Sequence, residues 1–168
     1  GEEHALARWN RALPACDVLV LAGVHDRGAA ATRARLRSAL GPAVEPWLEE
    51  AASLDAARSW WGRDLDRWLA RLAQGGAVLR AADCVDARSD GRCSPHVLAP
   101  TRAALFAHLR ASRGDAFVRE LWAGTRALDV GPELEARFEA AWRARGAPLA
   151  REVEHRLAQR RALALEAP

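Results

Sequence analysis

The chain has 168 residues, 50% hydrophobic and 28% charged, a balance that is typical of one folded globular domain and excludes a disordered chain. Its 25 basic residues against 22 acidic ones give a net charge of +3, which is low for a protein that simply coats nucleic acid. No apolar run approaches the roughly 18 residues that span a membrane. Three cysteines, an odd number, do not predict a disulfide framework, so we expect a cytoplasmic protein without a membrane partner.

Ala, Leu, Arg and Glu dominate the sequence and β-branched residues are scarce, which favours helix almost throughout. Glycine and proline mark the breaks between helices. In chain order we predict helices at 2–22, 24–40, 43–58, 60–74, 95–112, 114–128, 131–145 and 147–165. The predicted fold class is all-α, an antiparallel helical bundle of about seven or eight helices that forms one domain over residues 1–168. Residues 83–91 are predicted to form the one long exposed loop.

The second predicted helix carries a histidine and several arginines. His25, Thr32 and Leu36 share one face of this helix, and Arg33 and Arg35 flank it. A histidine and arginines that converge from a helix offer hydrogen-bond donors and positive charge to a phosphate. Helix periodicity alone instead favours a solvated arginine face with a satisfied histidine. Every basic residue is arginine and lysine is absent, as in a strongly GC-biased genome, so clustering carries more information than number.

The segment from Trp60 to Trp68 combines aromatic, basic and acidic residues. Within it, Arg63, Arg67, Asp64 and Asp66 could pair within the helix or with neighbours, and such pairs are usually structural. Two carboxylates two positions apart face different directions on a helix, so they make a poor acid–base or metal pair. We therefore predict that this segment is structural.

Two later helices carry further basic residues. Arg102, Arg110 and Arg113, with His108 between them, either face solvent or line a groove, and the sequence does not decide which. On the last predicted helix, His155 shares a face with residues four positions away, and Arg160 adds charge. Two histidine- and arginine-bearing helices from distant parts of the chain would form one basic pocket if they met.

The sequence offers little support for metal binding or catalysis. Cys84, Cys93 and His96 supply three soft ligands around a turn, but they have no convincing fourth ligand and lack the paired C-x2-C of strong zinc sites. There is no P-loop, no GxGxxG after a strand, no HExxH and no GxSxG. We predict no metal site, no cofactor and no enzymatic activity.

Three segments follow one another in a recognisable order: Val24-His25-Asp26 with residues 31–40, then Gly62-Arg63-Asp64-Leu65-Asp66, then the arginine-bearing stretch 102–122. They are similar to the "VHDLRVATRRLRAAL" helix, the "RDLD" segment and the later arginine-bearing helix pair of the CHAD domain family. Members of this family are conserved histidine α-helical domains that bind inorganic polyphosphate. The resemblance covers residues 5–128.

This resemblance implies a pseudo-symmetric bundle whose basic groove binds inorganic polyphosphate, or another polyanion, without catalysis. The site it implies comprises His25, Arg33, Arg35, Arg37, Arg102, Arg110 and Arg113, to which the last helix adds His155 and Arg160. The chain would correspond to a truncated or half-length bundle, and a homo-oligomer would complete the groove. Affinity should then fall steeply with salt. Nucleic acid and an acidic protein stay open as alternative partners.

A second resemblance is carried by Trp61-Gly62-Arg63, by Gly75-Gly76 and by Asp115-Ala116-Phe117-Val118. These segments are similar to the BH1 and BH2 motifs of Bcl-2-type apoptosis regulators. The resemblance implies a protein-interaction bundle whose apolar groove, lined by tryptophans such as Trp61, Trp68 and Trp122, binds an amphipathic helix. Arg63 would meet an acidic residue of that helix. Such binding should tolerate salt and be lost on Trp→Ala substitution.

Overall fold

The computed structural model describes residues 6–10, 15–19, 27–75, 79–86 and 93–166. Of the residues it defines, 76% are helical, which confirms the mostly helical fold. Six helices occur in this part of the chain: α1 (Arg27–Leu40), α2 (Pro46–Ala57), α3 (Leu65–Gln74), α4 (Ala81–Val85), α5 (Pro95–Trp122) and α6 (Pro132–Glu166). The prediction of seven or eight helices is therefore wrong for the described residues.

The first difference is at the start of the chain, where a helix over 2–22 was predicted. Two antiparallel strands stand there instead, β1 (Leu6–Asn10) and β2 (Ala15–Leu19), with Leu6 opposite Leu19 and Asn10 opposite Ala15. The predicted helix would have run through Pro14, which lacks the backbone N–H that a helix interior needs. The hairpin packs against α1.

The second difference is the late start of α3. A two-residue hairpin precedes it, with β3 (Ser59–Trp60) antiparallel to β4 (Arg63–Asp64). Its turn residues, Trp61 (φ 51°) and Gly62 (φ 68°), both have positive φ, as in the type I′ turn that matches the twist of paired strands. The helix can begin only after this hairpin, and Asp64 caps it by accepting a hydrogen bond from the Arg67 backbone N–H (2.7 Å).

The third difference is that one predicted break, at Gly146, does not end a helix. Helix α6 continues through Gly146, since one glycine costs a helix only about 1 kcal/mol relative to alanine. The two helices predicted over 131–145 and 147–165 therefore form one. The predicted break at Gly114 is present as a kink within α5, where the backbone leaves the helical region (φ 83°, ψ 168°) in a conformation that glycine tolerates.

The core forms where α2 packs between α1 and α5, and where α3 packs against α6. The largest fully buried side chains of α2, α5 and α6 include Leu48, Leu54, Leu105, Leu109 and Trp142. Glu135 of α6 accepts hydrogen bonds from the Ala81 and Ala82 backbone N–H groups (2.9 and 2.8 Å), which ties the short helix α4 to this core. Within the described residues, no helix is both long and apolar enough to cross a membrane.

Candidate functional site

Helix α2 carries carboxylates on its buried side. Glu49 and Asp55 are only 5% and 3% exposed, and Glu50 is half-buried. A buried carboxylate is costly unless it is paired and hydrogen-bonded. Arginines of α1 and α5 supply those partners, and we call Arg37, Arg102 and Arg110 the acid-paired arginines.

Arg102 is the most deeply buried of them, at 4% exposure. Its Nε donates a hydrogen bond to the Cys84 carbonyl oxygen (2.7 Å), and its Nη1 lies 3.5 Å from Glu50 Oε2. The side chain thereby joins α2, α4 and α5. Because this guanidinium is buried and contacts both the Cys84 carbonyl oxygen and Glu50, we interpret Arg102 as a structural residue that links the three helices.

The other two acid-paired arginines bind α2 from its two ends. Arg37 Nε donates a hydrogen bond to Glu49 Oε2 (2.7 Å), while the Ala43 backbone N–H donates to Glu49 Oε1 (3.0 Å). Arg110 Nη2 lies 3.1 Å from Asp55 Oδ2, an ion pair that is not aligned as a hydrogen bond. The structure thus brings together three predicted polyanion-binding arginines, but around carboxylates of the same chain.

The remaining predicted residues are dispersed. Arg33 is half-buried, and its Nε has no hydrogen-bond partner among the described residues, while Arg35 is exposed. Arg113 lies over the Phe117 ring, with its Cζ 5.6 Å from the centroid. On α6, His155 is exposed, and its Nε2 lies 2.9 Å from Gln159 Nε2. His25 and the side chain of Arg160 lie outside the described residues, so the predicted polyanion site stays a prediction.

Two titratable groups, on α4 and α5, are held neutral. Burial lowers the pKa of His108, and the positive charges of Arg137 and Arg145 lower it further, so His108 adds no positive charge at neutral pH. Burial also raises the pKa of the Cys84 thiol to about 12, so at neutral pH Cys84 is a thiol and not the nucleophilic thiolate. Within the described ranges, no three His, Cys, Asp or Glu side chains are placed to hold a metal ion.

The tip of the β3–β4 hairpin presents a large aromatic side chain to solvent. Trp61 is 52% exposed, and its ring lies 5.1 Å from that of His96 and 6.2 Å from that of Trp60, between centroids. Trp68 is half-buried beside it, and its Nε1 donates a hydrogen bond to the His96 carbonyl oxygen (3.0 Å). A non-glycine residue with positive φ is strained, and strained residues cluster at functional sites. This aromatic surface is therefore a candidate binding site.

Three arginines adjoin the aromatic surface, and we call them the arginine row: Arg63, Arg67 and Arg71. All three are exposed, and together with Asp64 and Trp68 they line a cleft of about 300 Å³. The Arg63 guanidinium carbon lies 5.9 Å from the centroid of the Trp68 ring. No ion pair joins the row to any residue that the structure describes.

Of the charges in this segment, Asp66 pairs with neighbours, one of the two predicted alternatives, whereas neither Arg63 nor Arg67 pairs with Asp64 or Asp66 among the described residues. Asp64 is used as the helix cap, and Asp66 pairs with Arg58 and with Arg145 (Nη1 to Oδ1, 3.1 Å). Because this segment was predicted to be structural, the arginine row was missed. The spacing of four between Arg67 and Arg71 was a signal, since it places these two along one side of α3, whereas Arg63 lies in β4 just before the helix.

Local stability favours Arg71, which lies in the last turn of α3 near the negative end of the helix dipole, but it does not account for Arg67. Arg67 lies in the first turn of α3, where the positive end of the helix dipole disfavours a cation. Arg67 and Arg71 are also like charges at i, i+4, which destabilise a helix by about 0.2–0.5 kcal/mol per pair. Residues that break local rules without a compensating contact are expected at functional sites.

The residues that resemble BH2 lie in a different place from those that resemble BH1. The guanidinium groups of Arg113 and Arg126 both lie near the Phe117 ring. Phe117 also lines a cleft of about 330 Å³ with Leu109 and Leu134. This cleft lies around the kinked end of α5, whereas Trp61 contacts His96 at the start of that helix.

The fold and the site together define a mostly helical domain with an aromatic and arginine-bearing surface at the β3–β4 hairpin. Comparison of the chain with protein-family models, curated proteins and solved structures gives no match.

Proposed function

We propose that this domain is a protein-interaction module that binds an amphipathic helix of a partner at the surface formed by Trp61, Arg63 and Trp68. The observation that carries the proposal is the exposure of Trp61, 52% of which faces solvent on a strained backbone at the hairpin tip. Tryptophan and arginine are the residue types most enriched among those that dominate binding energy at interfaces.

The hairpin favours binding because it fixes the aromatic side chain before a partner arrives. Pairing of β3 with β4 and contacts with Trp60 and His96 restrict where the Trp61 ring can lie. A side chain that is already ordered loses less conformational entropy on binding, so more of the free energy gained by burying it contributes to affinity. The apolar face of an amphipathic helix would cover the ring.

In the proposed contact, Arg63 pairs with an acidic residue of the bound helix, beside the apolar contact made by the tryptophans. It follows the turn directly and has no carboxylate partner among the described residues. The resemblance of Trp61-Gly62-Arg63 to the BH1 motif implies this same use, in which the arginine meets an acidic residue of the bound helix.

A display library of 20-residue amphipathic helices, with apolar residues at i, i+3, i+4 and i+7, tests the proposal. We expect peptides that bind the native protein with micromolar or better affinity and lose that affinity by at least about tenfold against Trp61→Ala. Val44→Ala is the matched control, because Val44 is 60% exposed and lies on a different surface. If no peptide is retained, or if Trp61→Ala binds the retained peptides unchanged, the proposal is wrong.

A polyanion remains the second candidate function, and the arginine row is the observation that favours it. Three guanidinium groups in one cleft, none with an ion pair among the described residues, offer a site to polyphosphate. Titration of labelled polyphosphate at 50 and 200 mM salt tests this function. Binding that falls steeply with salt and that survives Trp61→Ala would favour the polyanion over the helix.

A further inference from the structure

We infer that the helix bound by this domain carries acidic residues at intervals of four, which pair with Arg67 and Arg71 beyond the contact made by Arg63. This inference rests on the proposed function and adds the chemistry and spacing of the partner. It begins from the charges of the cleft, where three arginines face one carboxylate. That carboxylate, Asp64, already accepts a hydrogen bond from the Arg67 backbone N–H.

The spacing of the row fits a helix better than it fits a flexible chain. Arg67 and Arg71 are four residues apart on α3, which corresponds to a rise of about 6 Å along the axis. Acidic residues four apart on a partner helix have the same rise, so two helices that cross at a shallow angle would bring both pairs together. Each guanidinium can then bind a carboxylate through two parallel hydrogen bonds.

The tryptophans beside the row decide between an acidic helix and a free polyanion. Trp61 is half exposed and Trp68 is half-buried, both rings lie near His96, and the Trp68 ring also lies near the Arg63 guanidinium. A polyphosphate chain has no apolar surface to cover these rings. An amphipathic helix with acidic residues along the edge of its apolar face fits both features at once.

The acid-paired arginines have carboxylate partners, and the arginine row has none among the described residues. Arg37, Arg102 and Arg110 each have a carboxylate of α2 within ion-pairing distance. Because this chain satisfies those arginines internally, the row is the place where a partner's carboxylates have most to contribute. Such rim charges act chiefly on partner choice and association rate.

The test uses a second library, in which each polar position of the selected helices is Glu, Gln or Lys. We expect selection on the native protein to enrich Glu at two positions four apart, and each Glu→Gln change to weaken binding about three- to fivefold. Selection on Arg67→Glu/Arg71→Glu should enrich Lys at the same two positions. Arg119→Glu is the matched control, because Arg119 is exposed on α5 and has no ion pair among the described residues.

The outcomes separate this inference from the proposed function. Helices that require Trp61 but show no acidic spacing, or that bind Arg67→Glu/Arg71→Glu as well as the native protein, would overturn the inference alone. The absence of any helix that requires Trp61 would overturn both. Polyphosphate that binds through Arg67 and Arg71 while no helix does would assign the row to a free polyanion and overturn the inference. Circular dichroism of each variant establishes that it is folded.

Discussion

The arginines around α2 and those of β4 and α3 are the same residue type in opposite circumstances. Arg102 is 4% exposed and bridges three helices, whereas Arg63, Arg67 and Arg71 are exposed and have no carboxylate partner among the described residues. The difference teaches that arginine content says little about binding in this protein. The position of the nearest carboxylate decides whether an arginine holds the fold together or is available to a partner.

The same comparison explains why the net charge of +3 gives a poor guide to function. Three arginines of α1 and α5 are balanced locally by buried or half-buried acids of α2. The arginine row of β4 and α3 has Asp64 alone in its cleft. Local imbalance, rather than the total, marks the surface that a partner would meet.

Removal of Arg102 should produce the largest loss of stability. Arg102→Ala deletes a buried guanidinium, leaves the Cys84 carbonyl oxygen without its donor and separates Glu50 from its partner. We expect the free energy of unfolding to fall by about 3 kcal/mol. This is the low end of the cost of breaking a buried ion pair, because the Glu50 side chain is 32% exposed and water screens its charge.

Urea denaturation followed by circular dichroism measures this change. The control is Arg67→Ala, which removes an exposed arginine without an ion pair and should change stability by less than about 0.5 kcal/mol. Equal effects of the two substitutions would break the distinction between the acid-paired arginines and the arginine row.

Asp55 should have the next largest effect. Its side chain is 2% exposed and has Arg58 Nη1 within 3.3 Å and Arg110 Nη2 within 3.1 Å. Asp55→Asn removes the charge but keeps the volume, and we expect a loss of about 1–2 kcal/mol. The loss is smaller than at Arg102 because both arginines are about half exposed and can be solvated when the carboxylate is gone.

A double-mutant cycle with Arg110→Gln isolates the ion pair. We expect a coupling energy of about 1 kcal/mol between Asp55 and Arg110. A coupling energy near zero would mean that Arg110 is as free as the arginine row, and would return it to the list of candidate anion-binding residues.

The strained turn at Trp61 should show a smaller effect, and one that depends on the replacement. Trp61→Gly and Trp61→Ala remove the same ring contacts with Trp60 and His96. Glycine accepts φ 51° without strain and alanine does not, so Trp61→Gly should be more stable than Trp61→Ala by about 1 kcal/mol. Thermal unfolding of the two variants measures the difference, and equal midpoints would show that the hairpin stores no strain.

The sequence was sufficient for most helices but not for their number. Pro46 at the first turn of α2 and the apolar spacing of Leu65, Leu69 and Leu72 are local signals, and both predicted helices are present within a few residues of their expected bounds. The β1–β2 hairpin was missed because the alanine- and leucine-rich composition outweighed Pro14. The continuation of α6 through Gly146 shows that a single glycine is a weak helix terminator.

The candidate site was only partly predictable. Trp61, Arg63 and Trp68 were named from the sequence, since the Trp-Gly-Arg segment carried the second resemblance. Which arginines pair with α2 could not be predicted, because those contacts join residues that lie far apart in the sequence, such as Glu50 and Arg102. The exposure of Trp61 is likewise a property of the hairpin turn, and a predicted helix over 60–74 concealed it.

The smallest predicted effects are changes in stability on replacement of one exposed arginine of α3 and one of α6, and their signs are opposite. Arg67 lies at the start of α3, near the positive end of the helix dipole and four residues from Arg71, so Arg67→Gln should stabilise the protein by about 0.5 kcal/mol. Arg143 follows Glu139 by four residues on α6 and pairs with it at 2.5 Å, a favourable exposed pair, so Arg143→Gln should destabilise by about 0.2–0.5 kcal/mol. Chemical denaturation at 20 and 500 mM salt measures both, and salt should reduce both effects because it screens exposed charges. If Arg67→Gln destabilises the protein instead, then Arg67 has an internal partner and the row loses the feature that marks it as a binding surface.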